Sequence, residues 1–209
     1  MHEEGRRFRL TVRGRLGRRF FDRPALELAP DLLGRFLVSH RDGEIDLAVR
    51  IVEVEAYLGV GQDPASHAYR GQTARNAEMF ASPGRLYVYF CYGMHHCLNV
   101  VCDQPGQASA ILLRAAEPLA GAADMEQRRG RKGFELTNGP AKLCQAMGVD
   151  LSWNGTDLVG GPLGLWAGEP PRRISRSRRI GIRRGIDRLY RWFDADSDYV
   201  SRTKPAQLT

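Results

Sequence analysis

Lysine is nearly absent from this 209-residue chain, although the chain is basic. Its 31 basic residues comprise 28 arginines and only three lysines, Lys132, Lys142 and Lys204, and the formal net charge is +7. Arginine presents a planar fork of donors that suits phosphate groups, so this excess favours a polyanionic partner such as nucleic acid. A coding bias towards arginine would give the same composition, and charge alone therefore leaves the partner open.

The chain also lacks a long apolar run and the hydrophobic middle region of a secretory signal. We therefore expect a cytoplasmic protein with no membrane partner. Its four cysteines, Cys91, Cys97, Cys102 and Cys144, include no C-x-x-C pair. Packing residues in a reducing compartment explain them better than zinc ligands do, and we expect neither a metal nor an organic cofactor.

The pattern along the chain indicates one domain that follows a basic N-terminal extension. Residues 1–19 carry seven arginines without helical periodicity, which predicts a flexible basic extension before a domain over 20–209. Short strands and helices mix there without βαβ alternation, which predicts a single compact α+β domain with a curved, mainly antiparallel sheet and surrounding helices. The predicted helices span 24–37, 77–80, 118–129 and 138–147. The predicted strands span 47–58, 86–90, 98–102, 109–114, 163–166 and 180–182.

The predicted strand over 47–58 combines carboxylates with an aromatic residue. Side chains alternate along a strand, so Glu53, Glu55 and Tyr57 share one face. A carboxylate two residues from a tyrosine on an open sheet face could act beneath a bound ring. Both glutamates could equally be solvated strand residues, paired with Arg50.

Three further features could serve a stacked, anionic ligand. Tyr87 and Tyr89 share a face of the predicted strand over 86–90, and Tyr92 stands at its end before a glycine, where its ring would project outward. Such rings stack on bases, although strand tyrosines also commonly fill a core. Arg114 ends the apolar run A-I-L-L and needs an acidic partner, for which Glu55 is one candidate.

Several motifs in a fixed order make the pattern specific. V-E-A-Y-L-G, S-H-A-Y-R-G-x-T-x-R-N, P-G-x-x-Y-V-Y-x-x-Y-G-M and G-P-A-K-L-C-Q-A follow one another between Phe20 and Arg202. Together they resemble the 3-methyladenine (alkyladenine) DNA glycosylase family in its bacterial form. The resemblance implies a monomeric, monofunctional enzyme, associated with the nucleoid, that acts on duplex DNA containing damaged purines. Such an enzyme flips an alkylated or deaminated purine out of the duplex and hydrolyses its N-glycosidic bond, which initiates base excision repair.

The resemblance also implies roles for individual residues. Glu55 matches the general base that activates water, while Arg114 and the backbone of Ile180 match groups that hold this water. The implied base pocket comprises Tyr57, His67, Tyr89 and Asn99, of which Asn99 discourages guanine. Tyr92 matches the intercalating side chain, with Met94 beside it in the groove, and Glu53 becomes a bystander.

Phosphate contacts are expected from two places. The polar stretch 63–76 includes Thr73 and Arg75, whose donors suit phosphates, although it could equally be a surface loop. Lys142 stands at the start of a predicted helix, where an ammonium and the helix dipole both attract a phosphate. No lysine falls among the aromatic and acidic residues, so we expect no lyase activity. The alternatives are a non-catalytic nucleic-acid-binding protein and an RNA-modifying enzyme.

Overall fold

The computed structural model describes residues 14–201. Over these residues the chain forms four α-helices, eight strands and short 3₁₀ helices at Ala77–Phe80, Gly133–Leu136 and Leu151–Trp153. The helices are α1 (Arg18–Phe21), α2 (Ala25–Leu32), α3 (Ala122–Arg129) and α4 (Pro140–Met147). The strands are β1 (Phe36–Arg41), β2 (Glu44–Tyr57), β3 (Leu86–Cys91), β4 (His95–Cys102), β5 (Ser109–Ala120), β6 (Leu163–Trp166), β7 (Ile174–Ser177) and β8 (Arg191–Asp194).

All eight strands join one curled antiparallel sheet, so the predicted α+β fold is confirmed. The strand order is β3-β4-β5-β2-β1-β6, with β8 pairing to β2 and β7 to β8. The long strand β2 pairs with β5 along one edge. On its other edge the first half pairs with β1 and residues Glu53–Glu55 pair with β8. The register shifts on both sides of Glu53, which marks the place where β2 bends from one partner to the other.

Alternation along the strands gives the sheet two different faces. One face carries residues such as Val54, Leu86, Leu98 and Leu113, which enter the main core with α2 and α4. Each buried side chain of this size contributes about 1.5–3 kcal/mol to stability. The intervening residues of β3, β4 and β5 face away from that core and line a cavity. The opposite face of the core sheet is therefore where the candidate site lies.

Two helix predictions were too long, for reasons visible in the backbone. The helix predicted over 24–37 ends at Leu32, and β1 begins at Phe36. Between them Gly34 has a φ of +80°, and a Cβ there would lie 2.0 Å from the carbonyl oxygen of Glu169, so the chain turns where only glycine fits. The helix predicted over 118–129 begins only at Ala122, because residues before Gly121 continue β5.

The strand predicted over 180–182 is wrong, and the hairpin β7–β8 was missed. Ile180 pairs its backbone N–H with a side chain instead of a strand, and Gly181 has a φ of +76°. The helix over 138–147 is confirmed as α4, with Pro140 in its first turn and Gly148 ending it in the left-handed conformation. The strands predicted over 47–58, 86–90, 98–102 and 109–114 are confirmed as β2 to β5 with shifted ends, and the strand over 163–166 is confirmed as β6 without a shift.

The packed part of the chain starts before Phe20. Arg15 donates to the carbonyls of Leu158, Gly161 and Leu163, and its guanidinium stacks over Trp166 at 4.9 Å. Residues 14–19 of the predicted basic extension therefore belong to the fold, while residues 1–13 lie outside the described part. Among the described helices, none is long and apolar enough to cross a bilayer.

Candidate active site

A cavity of about 540 Å³ opens on the sheet face opposite the main core. This volume lies in the range of small-molecule sites and suffices for a purine. Its walls come from β2–β5, from the loop after β2 and from the loop between β7 and β8. The cavity brings together most of the residues that the sequence predicted for a site: Tyr57, His67, Arg75, Tyr89, Tyr92, Asn99, Arg114 and Ile180.

Glu55 lies directly beneath the cavity wall, with no exposed surface. Its Oε2 accepts a hydrogen bond from the Tyr57 hydroxyl at 2.8 Å and lies 3.2 Å from Nη1 of Arg114. Its Oε1 accepts the backbone N–H of Ile180 at 2.7 Å. A carboxylate has about four acceptor positions, so three donors leave one for a further partner.

Glu53, two residues before Glu55, accepts hydrogen bonds from a different set of donors. Its Oε1 accepts from Nε of Arg114 at 2.8 Å, from Nε of Arg191 at 2.7 Å and from the Ser201 hydroxyl at 2.8 Å. Its Oε2 accepts the backbone N–H of Ser201 at 2.6 Å. Burial alone would raise the pKa of Glu53, but Arg114, Arg191 and Ser201 together hold it below the ordinary value. Glu53 is therefore a buried anion held by four donors from β5, β8 and Ser201.

The predicted pairing of Arg114 with Glu55 is confirmed, and it is shared with Glu53. Burial would lower the pKa of Arg114, but Glu55 and Glu53 more than offset this and raise it, so the guanidinium keeps its charge. The alternative partner, Arg50, instead bonds Glu117 and Asp194. The idea of two solvated glutamates is wrong, because neither has exposed surface.

Aromatic rings form the upper walls of the cavity. His67 and Tyr89 meet edge to face with centroids 4.6 Å apart, and Nδ1 of His67 lies 2.8 Å from the Tyr87 hydroxyl. Burial, followed by the charge of Arg75, lowers the pKa of His67, so a neutral ring is expected at pH 7. The Tyr87 bond leaves Nε2 of that ring for another partner. The sequence pattern placed Tyr87 on the same face as Tyr89, but the implied base pocket included only Tyr89; the structure has both rings in the cavity wall.

Asn99 lies on the cavity floor with only 4% of its surface exposed. Its Nδ2 donates to the backbone carbonyl of Tyr87 at 3.0 Å across the β3–β4 pair. This bond fixes the amide plane, so its Oδ1 keeps one orientation. A rigid side chain here can restrict the shape of a bound ring.

Tyr92 and Met94 occupy the turn between β3 and β4, at the rim of the cavity. They are 83% and 71% exposed, so both project outward as the sequence predicted for Tyr92. Tyr92 has a φ of +51°, a left-handed conformation that costs a non-glycine residue about 1 kcal/mol. A large ring held in solvent by a strained turn is available to contact a partner.

A second ion pair, absent from the sequence prediction, lies behind the cavity wall. Arg179 donates to both carboxylate oxygens of Asp63 at 2.5 and 2.8 Å, and both side chains are fully buried. Burial would raise the pKa of Asp63, but Arg179 lowers it below 3.8. The guanidinium lies 4.5 Å from the Tyr57 ring centroid and 5.3 Å from that of Tyr190. Because Arg179 directly precedes Ile180, this pair supports both the ring and the amide next to Glu55.

The three predicted phosphate contacts lie in different surroundings. Arg75 lines the cavity, stacks at 5.7 Å on Tyr89 and donates to the carbonyl of Phe90. Lys142 instead lines an adjoining cavity of about 700 Å³, on the other side of Tyr92, and bonds Asn138 at 2.7 Å. Thr73 is exposed but lines neither cavity.

Two exposed arginines that we did not predict, Arg183 and Arg184, also line the main cavity. The remaining reactive groups give no rival centre within residues 14–201. The four cysteines are free thiols there, and no group of His, Cys, Asp or Glu is placed to share a metal ion. Lys132 is exposed beside Glu126, 3.7 Å away, and does not line the main cavity.

Comparison with known proteins is consistent over nearly the whole chain. Residues 19–198 match the family model described as methylpurine-DNA glycosylase. A protein of Streptomyces avermitilis named "Putative 3-methyladenine DNA glycosylase" is 50% identical over 93% of this chain and 96% of its own length. Proteins of the same name from Chlorobium phaeovibrioides and Burkholderia lata are 47% and 48% identical, over 92% and 89% of this chain and 99% and 90% of their own lengths.

Proposed function

The chain belongs to the methylpurine-DNA glycosylase family, and on that basis we propose that it hydrolyses the N-glycosidic bond of damaged purines in duplex DNA. One observation carries the proposal beyond the family: a fully buried glutamate lies 3.2 Å from an arginine beneath an aromatic cavity. A protein that only bound DNA would have no use for a carboxylate so near its polyanionic ligand.

In the proposed reaction Glu55 acts as the general base. Breaking an N-glycosidic bond develops oxocarbenium character on the sugar, which a nearby carboxylate stabilises while it accepts a proton from the attacking water. The free acceptor position of Glu55 supports this role. Arg114 and the Ile180 amide keep the carboxylate in one orientation, and both lie where they could also contact the water.

We assign the flipped base to the cavity between Tyr57, His67 and Tyr89. Stacking on tyrosine faces contributes about 1–3 kcal/mol per base and favours a purine that already carries positive charge. An alkylated purine departs without strong acid assistance, because its charge weakens the glycosidic bond. Asn99, fixed by its bond to the Tyr87 carbonyl, would crowd the 2-amino group of guanine.

Extrusion of the base costs a few kcal/mol, and the proposal gives the compensating wedge to Tyr92, with Met94 beside it. The exposure of both side chains and the position of Tyr92 between the two cavities support this assignment. Arg75 and Lys142, on either side of Tyr92, and Thr73 on the nearby loop are proposed to bind phosphates. We propose that the protein acts as a monomer. We also propose that it has no lyase activity, because a Schiff base needs an amine at the sugar and Lys142 lines the adjoining cavity instead.

The test is release of free base from a panel of duplexes bearing 7-methylguanine, 3-methyladenine, hypoxanthine or ethenoadenine. The wild-type chain should release at least one lesion base and none from undamaged duplex. Glu55→Gln should lower single-turnover release by at least about 100-fold while lesion binding persists. The matched control is Glu117→Gln. It removes a carboxylate of β5 that pairs with Arg50 of β2, and it should leave base release unchanged.

The same panel separates the alternatives. Undiminished release from Glu55→Gln would refute the assignment of the base. Lesion binding without any release by the wild type would favour a non-catalytic binder, and release from RNA but not from duplex DNA would favour an RNA-modifying enzyme. Strand cleavage with borohydride trapping of the enzyme would contradict the absence of a lyase step.

A further inference from the structure

Four buried side chains form an alternating row of charges beneath the cavity: Glu55, Arg114, Glu53 and Arg191. We call this row the charge quartet. Arg114 touches both glutamates, and Glu53 touches both arginines. The two outer members are Glu55 on β2 and Arg191 on β8. These residues lie opposite each other where the two strands pair.

We propose that Glu53 and Arg191 are positioning residues that set the orientation and the effective charge of Arg114, and through it the ability of Glu55 to accept a proton. The inference rests on the proposed function, because it concerns the same site. It gives a role to Glu53, which neither the family match nor the motif pattern assigns.

Geometry is the first support. Arg114 presents Nε to Glu53 at 2.8 Å and Nη1 to Glu55 at 3.2 Å, from one planar guanidinium. A planar group held at two edges has little freedom to rotate. Without Glu53, Arg114 could turn and leave Glu55 bonded only by Tyr57 and the Ile180 amide. Misplacement of about 1 Å near the chemistry can cost up to about 100-fold in rate.

Bonding capacity is the second support. Four donors bind Glu53: Nε of Arg114, Nε of Arg191 and the Ser201 hydroxyl on Oε1, and the Ser201 N–H on Oε2. Among residues 14–201, Glu55 accepts hydrogen bonds only from the Tyr57 hydroxyl and the Ile180 N–H, with Nη1 of Arg114 3.2 Å away. Glu53 is therefore the more firmly held of the two carboxylates, which suits it to fixing the arginine.

Charge is the third support. By formal charge the quartet comprises two carboxylates and two guanidinium groups, so its formal charges cancel. The other groups that face Glu55 are Tyr57 from its own strand and, from the loop before β8, the Ile180 amide and Arg179, whose charge Asp63 balances. Removing Glu53 leaves an uncompensated cation near Glu55, whereas removing Arg191 leaves an uncompensated anion. The two changes should therefore act on Glu55 in opposite directions.

The experiment is the pH dependence of single-turnover base release, measured on the fastest substrate of the lesion panel. Glu53→Gln should move the acid limb of the profile to lower pH by about one unit, because extra positive charge favours the ionised carboxylate. Its plateau should also fall by about 10- to 100-fold as Arg114 loses its orientation. Arg191→Gln should move the limb to higher pH, and the double variant, again neutral, should return it near the wild-type position.

Arg50→Gln is the control for Arg191→Gln, since it also removes an ion-paired arginine of the sheet, but one that does not line the cavity; its limb should stay in place. A purely structural role for Glu53 would lower the melting temperature without moving the limb. Folded single variants that keep the wild-type limb, or that move it in the same direction, would overturn the inference.

If Glu53→Gln does not fold, the test uses the other two variants. The acid limb should move to higher pH in Arg191→Gln and lie near the wild-type position in the double variant. Failure of either result would overturn the inference. A wild-type chain that releases no base from any lesion refutes the proposed function instead, so the two failures are distinguishable.

Discussion

The buried pair of Asp63 and Arg179 should contribute more to stability than any exposed ion pair of the chain. Its members join the end of β2 to two loops. Arg179 also donates to the carbonyl of Ala56, and Asp63 accepts the backbone N–H groups of Leu58 and Ala65. Asp63→Asn keeps the shape and one carbonyl acceptor, but it turns an amide group towards the guanidinium and leaves a buried cation without its counter-ion.

The expected loss follows from burial. Removing one partner of a fully buried, hydrogen-bonded pair costs about 3–5 kcal/mol in the free energy of unfolding. For a chain of this length each kcal/mol lowers the melting temperature by about 2–4 °C, so Asp63→Asn should melt on the order of 10 °C below the wild type. The control is Asp157→Asn, which breaks the pair with Arg18, whose side chains are 40% and 37% exposed. That change should cost no more than about 1 kcal/mol.

The effect must also depend on pH. The pKa of Asp63 is lowered in the folded chain from an ordinary value of 3.8, so its stabilisation is fully present above that value. It is lost as the pH falls through the lower, folded value. Urea unfolding should therefore give a constant difference between wild type and Asp63→Asn from about pH 5 to 8, shrinking in strong acid. A loss no larger than that of Asp157→Asn, or one that grows on acidification, would refute the reasoning.

Two further predictions test the proposed DNA contacts. Tyr92→Ala should weaken release from a paired lesion by about 10- to 100-fold, because a stacked ring contributes about 1–3 kcal/mol. It should spare the single-turnover rate on an unpaired lesion, and equal damage on both substrates would argue against a wedge. Lys142→Ala should reduce the slope of log binding constant against log salt by about one unit in filter-binding titrations. An unchanged slope would remove Lys142 from the phosphate contacts.

Strand alternation was the most informative part of the sequence. It placed Glu53, Glu55 and Tyr57 on one face, and the structure has both glutamates on Arg114 and the tyrosine on Glu55. Alternation could not show how deeply either face is buried. A period of two separates the faces of a strand without telling whether a face meets water or further protein, so two fully buried anions resembled solvated ones.

The errors have a common physical origin in contacts distant along the chain. β7 has alternating exposed and half-buried residues and buries little apolar surface, so its local pattern resembles a loop; its partner β8 is defined by pairing with β2. Ile180–Ile182 has the composition of a strand, but Glu55, 125 residues earlier, takes the Ile180 N–H. The partners of Glu53, 138 and 148 residues later, are equally invisible to local rules.

Those separations have a consequence during synthesis. Glu53, Glu55 and Arg114 leave the ribosome long before Arg191 and Ser201, and domains form from the N-terminal end as the chain emerges. Until the last of these residues arrives, the nascent sheet holds two carboxylates against a single arginine. Ribosome-bound chains that stop short of residue 191 should accordingly be sensitive to proteolysis at β2. The charge quartet is therefore completed last, although three of its four residues are made early.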